Sequence, residues 1–123
     1  MLIEPDRVFA SSINGYLCEN GYNVRHAYDA QAALVAADEA RPDMVVCELQ
    51  LVSHSGIEFL YEFRSYPDWR QVPVVIFSLV PPIEFASSGL GLSRDLAISC
   101  YLYKSATTMS MLLRELNFLS ERA

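Results

Sequence analysis

The sequence predicts an α/β protein in which helices cover both faces of a parallel sheet of five strands. Two observations predict this class. The first is a set of short apolar runs, of which 44–47 and 72–77 are unbroken, as in strands buried on both faces. The second is that about five segments with helical periodicity alternate with these runs. Such alternation requires parallel strands joined by right-handed crossovers.

Capping residues and helix terminators divide the first half of the chain. Pro5 ends the first strand, because proline cannot donate a hydrogen bond to a strand ladder. Asp6 and Asp29 are predicted helix N-caps, and Gly21 and Pro42 are predicted to stop the two helices. The predicted apolar face of the first helix consists of Val8, Phe9, Ile13 and Leu17. The elements predicted for this half are strands at 2–3, 23–28 and 44–47 and helices at 6–21 and 29–40.

The second half is predicted to add three helices and two strands. A helix begins at Ser55 or Gly56, with Ile57, Leu60 and Phe63 on its core face, and a buried strand over 72–77 ends at Ser78. The segment 80–93 contains two prolines and two glycines, so any helix there is expected to be short. A fifth strand is predicted over 97–103. A last helix follows a cap at Thr107 or Thr108, and its apolar stripe consists of Met109, Leu112, Leu113, Leu116 and Leu119.

Composition excludes several classes of protein. The 123 residues are expected to form one domain, residues 1–123, and 52% hydrophobic content predicts a packed core. No apolar run is long enough for a membrane span and no signal sequence is visible, so a cytoplasmic protein that does not bind membranes is expected. A net charge of −6 argues against nucleic-acid binding. Cys18, Cys47 and Cys100 lack metal or disulfide spacing and are expected to be free, the last two in buried strands.

Polar side chains follow four of the five predicted strands. They are Glu4 with Asp6, Glu48, Ser78 and Lys104. The carboxyl ends of parallel strands converge on one crevice, so these groups are expected to face each other. No glycine-rich phosphate loop follows the first strand and no nucleophile–His–acid arrangement is visible, which disfavours an enzyme and a flavin- or nucleotide-binding protein.

This ordered set resembles the receiver domain of bacterial response regulators over essentially the whole chain. Glu4 and Pro5 fall on the family's acidic pair, and Glu48 falls on its phosphoacceptor Asp. The other matching positions are Gly21-Tyr22, Arg41-Pro42-Asp43, Gly56, Ser78, the switch aromatic Tyr101, and Lys104. The resemblance implies a flavodoxin-like, doubly wound five-stranded parallel sheet of order 2-1-3-4-5 that takes part in two-component signal transduction.

The departures from the family pattern concern the chemistry of the site. Glu48 replaces the phosphoacceptor, and Pro5 replaces an acidic residue that is usually a direct magnesium ligand; Val52, Leu79 and Ser105 also depart. A Glu carboxylate lies about 1.5 Å further out than that of Asp, and a misplacement of about 1 Å can cost on the order of a hundredfold in rate. The expectation is therefore no cofactor and no phosphoryl cycle. The only weak candidates for metal ligands are Glu4, Asp6 and Glu48.

The resulting hypothesis is a stand-alone pseudo-receiver that acts through protein–protein interaction without phosphorylation. Glu48 would pair with Lys104 and Ser78 as a partial mimic of a phosphoryl group, with Ser78 and Tyr101 held inward. A signalling protein would bind the face made by the fourth helix, fifth strand and fifth helix, and a homodimer there is an open alternative. The residues expected on this interaction face are Tyr103, Met111 and Phe118.

Two other interpretations of the sequence remain open. One is a working receiver that binds a divalent metal through Glu4 and Asp6 and accepts phosphate slowly. The other is that Glu4, Glu48 and Lys104 form only a buried charge network that offsets its own desolvation.

Overall fold

The computed structural model describes residues 1–52, 54–87 and 96–122. All five strands are parallel and lie in the order β2-β1-β3-β4-β5, which confirms the predicted flavodoxin-like sheet. The strands are β1 (Leu2–Ile3), β2 (His26–Ala27), β3 (Val45–Cys47), β4 (Val74–Ser78) and β5 (Ile98–Tyr103). The helices are α1 (Arg7–Glu19), α2 (Ala30–Glu39), α3 (Gly56–Ser65), α4 (Pro82–Ser87) and α5 (Met109–Glu121).

Two apolar cores hold the sheet between layers of helices. On one face, α2 and α3 pack on the sheet through alanines and through Phe59, Leu60 and Phe63. On the other face, α1 and α5 pack through Ile13 and Leu112, among others. Every residue of β3 and β4 is buried, as their unbroken apolar runs predict. Among the described residues, no helix has the length and apolar character needed to cross a membrane.

Two features of the first half differ from the prediction. Val8 is 79% exposed and does not belong to the apolar face of α1. It lies five residues before Ile13, which at 3.6 residues per turn places it about 140° around the helix. Strand β2 has two residues instead of six, because it pairs only with the two residues of β1, Leu2 with His26 and Ile3 with Ala27.

The second half differs at the edge of the sheet. Strand β5 is an edge strand, so Cys100 is only partly buried, whereas the prediction placed it in a buried strand. The strand starts at Ile98 because Ala97 adopts a left-handed φ of 47°. Helix α4 is short, as expected. Residues 88–93 of the predicted irregular segment lie outside the described residues.

Candidate functional site

Glu4, Glu48 and Lys104 meet at the carboxyl edge of the sheet. Lys104 Nζ donates to Glu4 Oε1 at 2.5 Å and to Glu48 Oε1 at 2.8 Å. The two carboxylate side chains are 3% exposed and that of Lys104 is 9% exposed. One ammonium group therefore bridges two carboxylates that are almost entirely out of water, at the ends of β1, β3 and β5.

Backbone amides complete the coordination of the Glu48 carboxylate. Its Oε2 accepts from the amides of Leu49 at 2.6 Å and Gln50 at 3.2 Å. Its Oε1, besides the bond from Lys104, accepts from the amide of Leu79 at 3.2 Å. Each oxygen thus has at least two donors, drawn from the turns that follow β3 and β4 and from Lys104. This set of donors holds an anion and fixes its position.

Glu4 and Asp6 have different surroundings although they are two residues apart. Glu4 Oε2 accepts from the amide of Asp6 at 3.0 Å. The Asp6 carboxylate is exposed and caps α1 through the amide of Phe9 at 3.0 Å. Glu4 therefore contacts Lys104 directly, whereas Asp6 joins the site only through the hydrogen bond from its backbone amide to Glu4. Among the described residues, no three His, Cys, Asp or Glu side chains are placed to share a metal ion.

Two aromatic rings lie beside the ammonium group of Lys104, the single lysine in the sequence. Its Nζ is 4.9 Å from the ring centre of Phe9 and 5.8 Å from that of Phe77. Ring faces attract cations, so these side chains add to the attraction of the carboxylates while they exclude water. Sequence reasoning placed Phe9 only in the core and Phe77 only in a strand. Phe77 directly precedes the predicted site residue Ser78, and this adjacency is the sequence feature that could have placed Phe77 near the site.

Hydrogen bonding outweighs burial in setting the ionisation of Glu48. Burial raises the pKa of this carboxyl, but hydrogen bonds from Lys104, Ser78 and the Gln50 amide, together with the Lys104 charge, bring the pKa below its ordinary value of 4.5. Glu48 is therefore ionised at neutral pH, and the network carries a fixed negative charge without any modification.

The lowered pKa of Glu48 predicts an acid-sensitive contribution to stability. The contribution is fully present above the ordinary pKa of 4.5 and is lost as the pH falls through the lower pKa of the folded state. Glu48→Gln is expected to remove this contribution, so its unfolding free energy in urea should depend less on pH than that of the wild type below about pH 4.5. The exposed Glu62→Gln is the matched control, and equal acid dependence in all three proteins would contradict the assignment.

Ser78 and Tyr101 connect the network to the segment that leads into α4. Ser78 is fully buried, its Oγ accepts from the Val80 amide at 3.0 Å, and its hydrogen bonding lowers the pKa of Glu48. Tyr101 donates its hydroxyl to the Val80 carbonyl at 2.6 Å, and its ring centre is 5.0 Å from that of Phe85. Burial raises the pKa of Tyr101 despite hydrogen bonding to Ser78. Both side chains are thus directed toward the turn after β4.

Gly56 allows the turn after β3 to close on Glu48. Its amide donates to the Leu49 carbonyl at 2.7 Å. A Cβ atom at this position would lie 2.6 Å from the Glu48 carbonyl oxygen and 2.8 Å from Leu49 Cα. Both are backbone atoms, so any larger residue would require the backbone to shift. The preceding residue, Ser55, caps α3 through the Glu58 amide at 3.1 Å. The start of α3 therefore supports the residues that bind the Glu48 carboxylate.

The three residues expected on the interaction face differ in exposure. Tyr103 is partly buried, and Met111 is partly buried with its Sδ accepting from the Thr108 amide at 3.5 Å. Phe118 is 53% exposed, and the guanidinium carbon of Arg122 lies 5.4 Å from its ring centre. Phe118 is therefore the large exposed apolar group of this set.

His26 has a contact with the site that the sequence did not indicate. Its Nε2 lies 2.8 Å from the Glu4 carbonyl oxygen, and its ring packs edge-on against Tyr28 at 4.0 Å. The pairing of β2 with β1 brings it there. This contact could not be predicted from the sequence, because it depends on the register between β2 and β1.

The fold and these contacts define the class: an α/β domain with a 2-1-3-4-5 parallel sheet and a carboxylate–lysine site at its carboxyl edge. The chain belongs to the response regulator receiver domain family, whose model matches residues 1–108. Receiver domains of this family interact with other signalling proteins.

Curated relatives are longer proteins. The chain is 28% identical over 95 residues to the probable transcriptional regulatory protein TcrX of Mycobacterium tuberculosis, a match that covers 77% of this chain and 40% of TcrX. It is 39% identical over 75 residues to the transcriptional regulatory protein KdpE of the same species, covering 61% of this chain and 31% of KdpE. The match thus spans 40% of the length of TcrX and 31% of the length of KdpE.

Solved structures show the same architecture. The receiver domain of the Francisella response regulator 1452 superimposes with a TM-score of 0.84 at 25% identity, covering 98% of this chain and 94% of that one. The receiver domain of NtrX from Brucella abortus gives 0.83 at 22% identity, covering 99% and 98%, and this likeness shows the fold alone.

Proposed function

We propose that this receiver domain signals without phosphorylation and acts as a non-catalytic interaction domain. One observation carries the proposal. Both oxygens of the Glu48 carboxylate already accept hydrogen bonds, from the Lys104 ammonium group and from the backbone amides of Leu79, Leu49 and Gln50. Glu48 stands at the phosphoacceptor position of the family pattern. A carboxylate that already holds these donors has none left to orient an incoming phosphoryl group.

The residues of the site do not fit a magnesium ion. Mg²⁺ requires close to octahedral coordination by oxygen ligands. Pro5 offers no side-chain oxygen at the position of a usual ligand, and the Asp6 carboxylate caps α1. Glu4 Oε1 and Glu48 Oε1 are both occupied by Lys104. A positive charge in the place of the metal is thus supplied by the chain itself, and phosphoryl transfer would lack the metal that neutralises its developing charge.

The proposed output surface is the α4–β5–α5 face, where a signalling protein would bind in two-component signal transduction. Support comes from Tyr101, which lies on β5 and contacts both the turn after β4 and Phe85 of α4. Ser78 connects this turn to Glu48. The fixed charge of Glu48 therefore holds Tyr101 and α4 in one arrangement, and the face presented by Tyr103, Met111 and Phe118 stays constant.

The test is incubation with acetyl phosphate and Mg²⁺, followed by intact-mass measurement. We expect no addition of a phosphoryl group to the wild type over hours, since neither a free phosphoacceptor nor a metal site is present among the described residues of this edge. A mass increase by one phosphoryl group that disappears in Glu48→Gln would establish the slow receiver instead. An increase that persists in Glu48→Gln would reflect modification elsewhere and leave Glu48 unmodified, as proposed.

A further inference from the structure

Strand β5 has a free outer edge. It is the last strand of the sheet, and within the described part of the chain no strand pairs with its outer side. Every residue of β4 is buried, whereas no residue of β5 is. The two faces of β5 are covered, since Tyr101 packs into one core and Leu102 into the other. The exposure of β5 therefore comes from its outer edge.

The strand register determines which backbone groups lie on this edge. The carbonyl of Pro73 accepts from β3, so the backbone groups of Ile76, an odd number of residues later, face β5. Ile76 pairs with Tyr101. In a parallel ladder, such a residue bonds to the two neighbours of its partner, so the N–H and C=O groups of Tyr101 face away from β4. The same holds for the N–H group of Tyr103.

Side chains close both ends of the edge and leave its middle open. The Arg64 guanidinium group donates to the two carbonyls directly before β5. Thr107 Oγ1 donates to the Tyr103 carbonyl at 2.7 Å. No described residue is bonded to the N–H or C=O group of Tyr101 or to the N–H group of Tyr103. Unpaired backbone groups of an edge strand are a template for a further extended segment.

Carboxylates lie on both sides of this edge. On the side of α4, burial and then the charges of Glu48 and Glu84 raise the pKa of Tyr101. On the side of α5, burial and then the charge of Glu115, together with hydrogen bonding between the two side chains, raise the pKa of Cys100. Successive side chains of an extended segment point to opposite faces. Two consecutive basic residues would therefore place one cation near Glu84 and one near Glu115.

On the basis of the function proposed above, we propose that the signalling protein binds this face through an extended segment that pairs with Tyr101–Tyr103 on the free edge of β5. The segment carries two consecutive Lys or Arg residues, one directed toward Glu84 and the other toward Glu115. Backbone pairing supplies the affinity of such a strand addition, and its side chains supply the selection among partners. The net charge of −6 favours the approach of a basic segment.

The first measurement is amide hydrogen exchange of the free chain, followed by NMR. The register places the Leu102 amide in the ladder with β4, whereas the amides of Tyr101 and Tyr103 face the open edge. We expect these two amides to exchange at least about a hundredfold faster than that of Leu102. Equal protection of all three would overturn the proposal, because the edge would already be occupied.

The second measurement is NMR titration with short synthetic peptides that have blocked ends. One peptide is rich in valine and threonine with Lys-Arg at its centre, and its control has Glu-Glu at the same place. We expect the Lys-Arg peptide to bind and to slow exchange at Tyr101 and Tyr103, and the Glu-Glu peptide to bind at least about tenfold more weakly. Equal binding of both peptides, or no binding at millimolar concentration, would overturn the proposal.

A pair of variants at Tyr103 tests the backbone contact. Tyr103→Pro removes the outward N–H group, and the φ of −82° at this residue suits proline. Tyr103→Ala removes the same side chain but keeps the N–H group. The proline variant is expected to bind the Lys-Arg peptide roughly threefold to tenfold more weakly than the alanine variant, as the loss of one hydrogen bond predicts.

Equal affinity of the two folded variants, or peptide binding that leaves the amides of Tyr101 and Tyr103 unprotected, would also overturn the proposal. If Tyr103→Pro does not fold, the exchange and peptide measurements on the wild type decide. Acetyl phosphate treatment reports on Glu48 alone. A failure of strand addition and a failure of the proposed function therefore appear in different measurements.

Discussion

Replacing Lys104 by Met is expected to lower the free energy of unfolding by about 3–5 kcal/mol, since it leaves buried carboxylates without their counterion. Glu4 and Glu48 are 2% and 3% exposed and share this one ammonium group. No other lysine exists in the chain to replace it. Urea unfolding at neutral pH, followed by circular dichroism, measures the loss.

Two further variants show whether the loss comes from the charges. Arg114→Met removes an exposed cation from α5 and is expected to change stability by no more than about 0.5 kcal/mol. Adding Glu4→Gln and Glu48→Gln to Lys104→Met removes the unpaired charges and should recover part of the stability. If Lys104→Met costs less than about 1 kcal/mol, the network is not the closed, desolvated unit that its geometry indicates.

The double variant Pro5→Asp/Glu48→Asp is expected to accept a phosphoryl group from acetyl phosphate in the presence of Mg²⁺. Shortening residue 48 by one methylene withdraws its carboxylate from the amides of Leu79 and Gln50 and leaves these donors free. The change at position 5 supplies the carboxylate that Pro5 lacks. Repair of the misplacement at residue 48 is worth on the order of a hundredfold, so with the metal ligand restored as well the rate should exceed that of the wild type by more than about a hundredfold. Intact-mass time courses measure the rate.

The matched control separates the charge at residue 5 from its shape. Pro5→Asn/Glu48→Asp has nearly the same volume without the second carboxylate and is expected to react far more slowly than the double variant that carries both carboxylates. Glu48→Asp alone should also remain slow. If the single change restores the full rate, Pro5 is not a barrier to metal binding, and the alternative of a slow but working receiver gains support.

Much of the fold was accessible from the sequence because its signals are local. Continuous apolar runs identified β3 and β4, and side-chain caps identified the starts of α1, α2, α3 and α5. The prediction that Val8 lies on the buried face of α1 was wrong. Val8 is in the first turn of the helix, where few preceding helical residues are available to show which side is apolar.

Buried polar contacts between distant residues could not be predicted in this way. Arg64 lies in the amphipathic pattern of α3, where an exposed position would be expected, yet it is 8% exposed. Its guanidinium group donates to the carbonyls of Leu96, Trp69, Arg70 and Ala97 at 2.8–3.1 Å. Burial lowers the pKa of Arg64. Carbonyl acceptors are present at every residue, so the sequence holds no pattern that marks these four.

The sequence by itself determined which chemical groups stand at the ends of the strands, because strand ends follow from the apolar runs and the turn residues beside them. Thus Glu4, Glu48, Ser78 and Lys104 were identified as candidates for one site. Only the tertiary structure decided how they are connected: that Lys104 bridges both carboxylates while Asp6 caps α1. The physical reason is that hydrogen bonds depend on differences of about an ångström, which are set by strand register and backbone turns drawn from the whole chain.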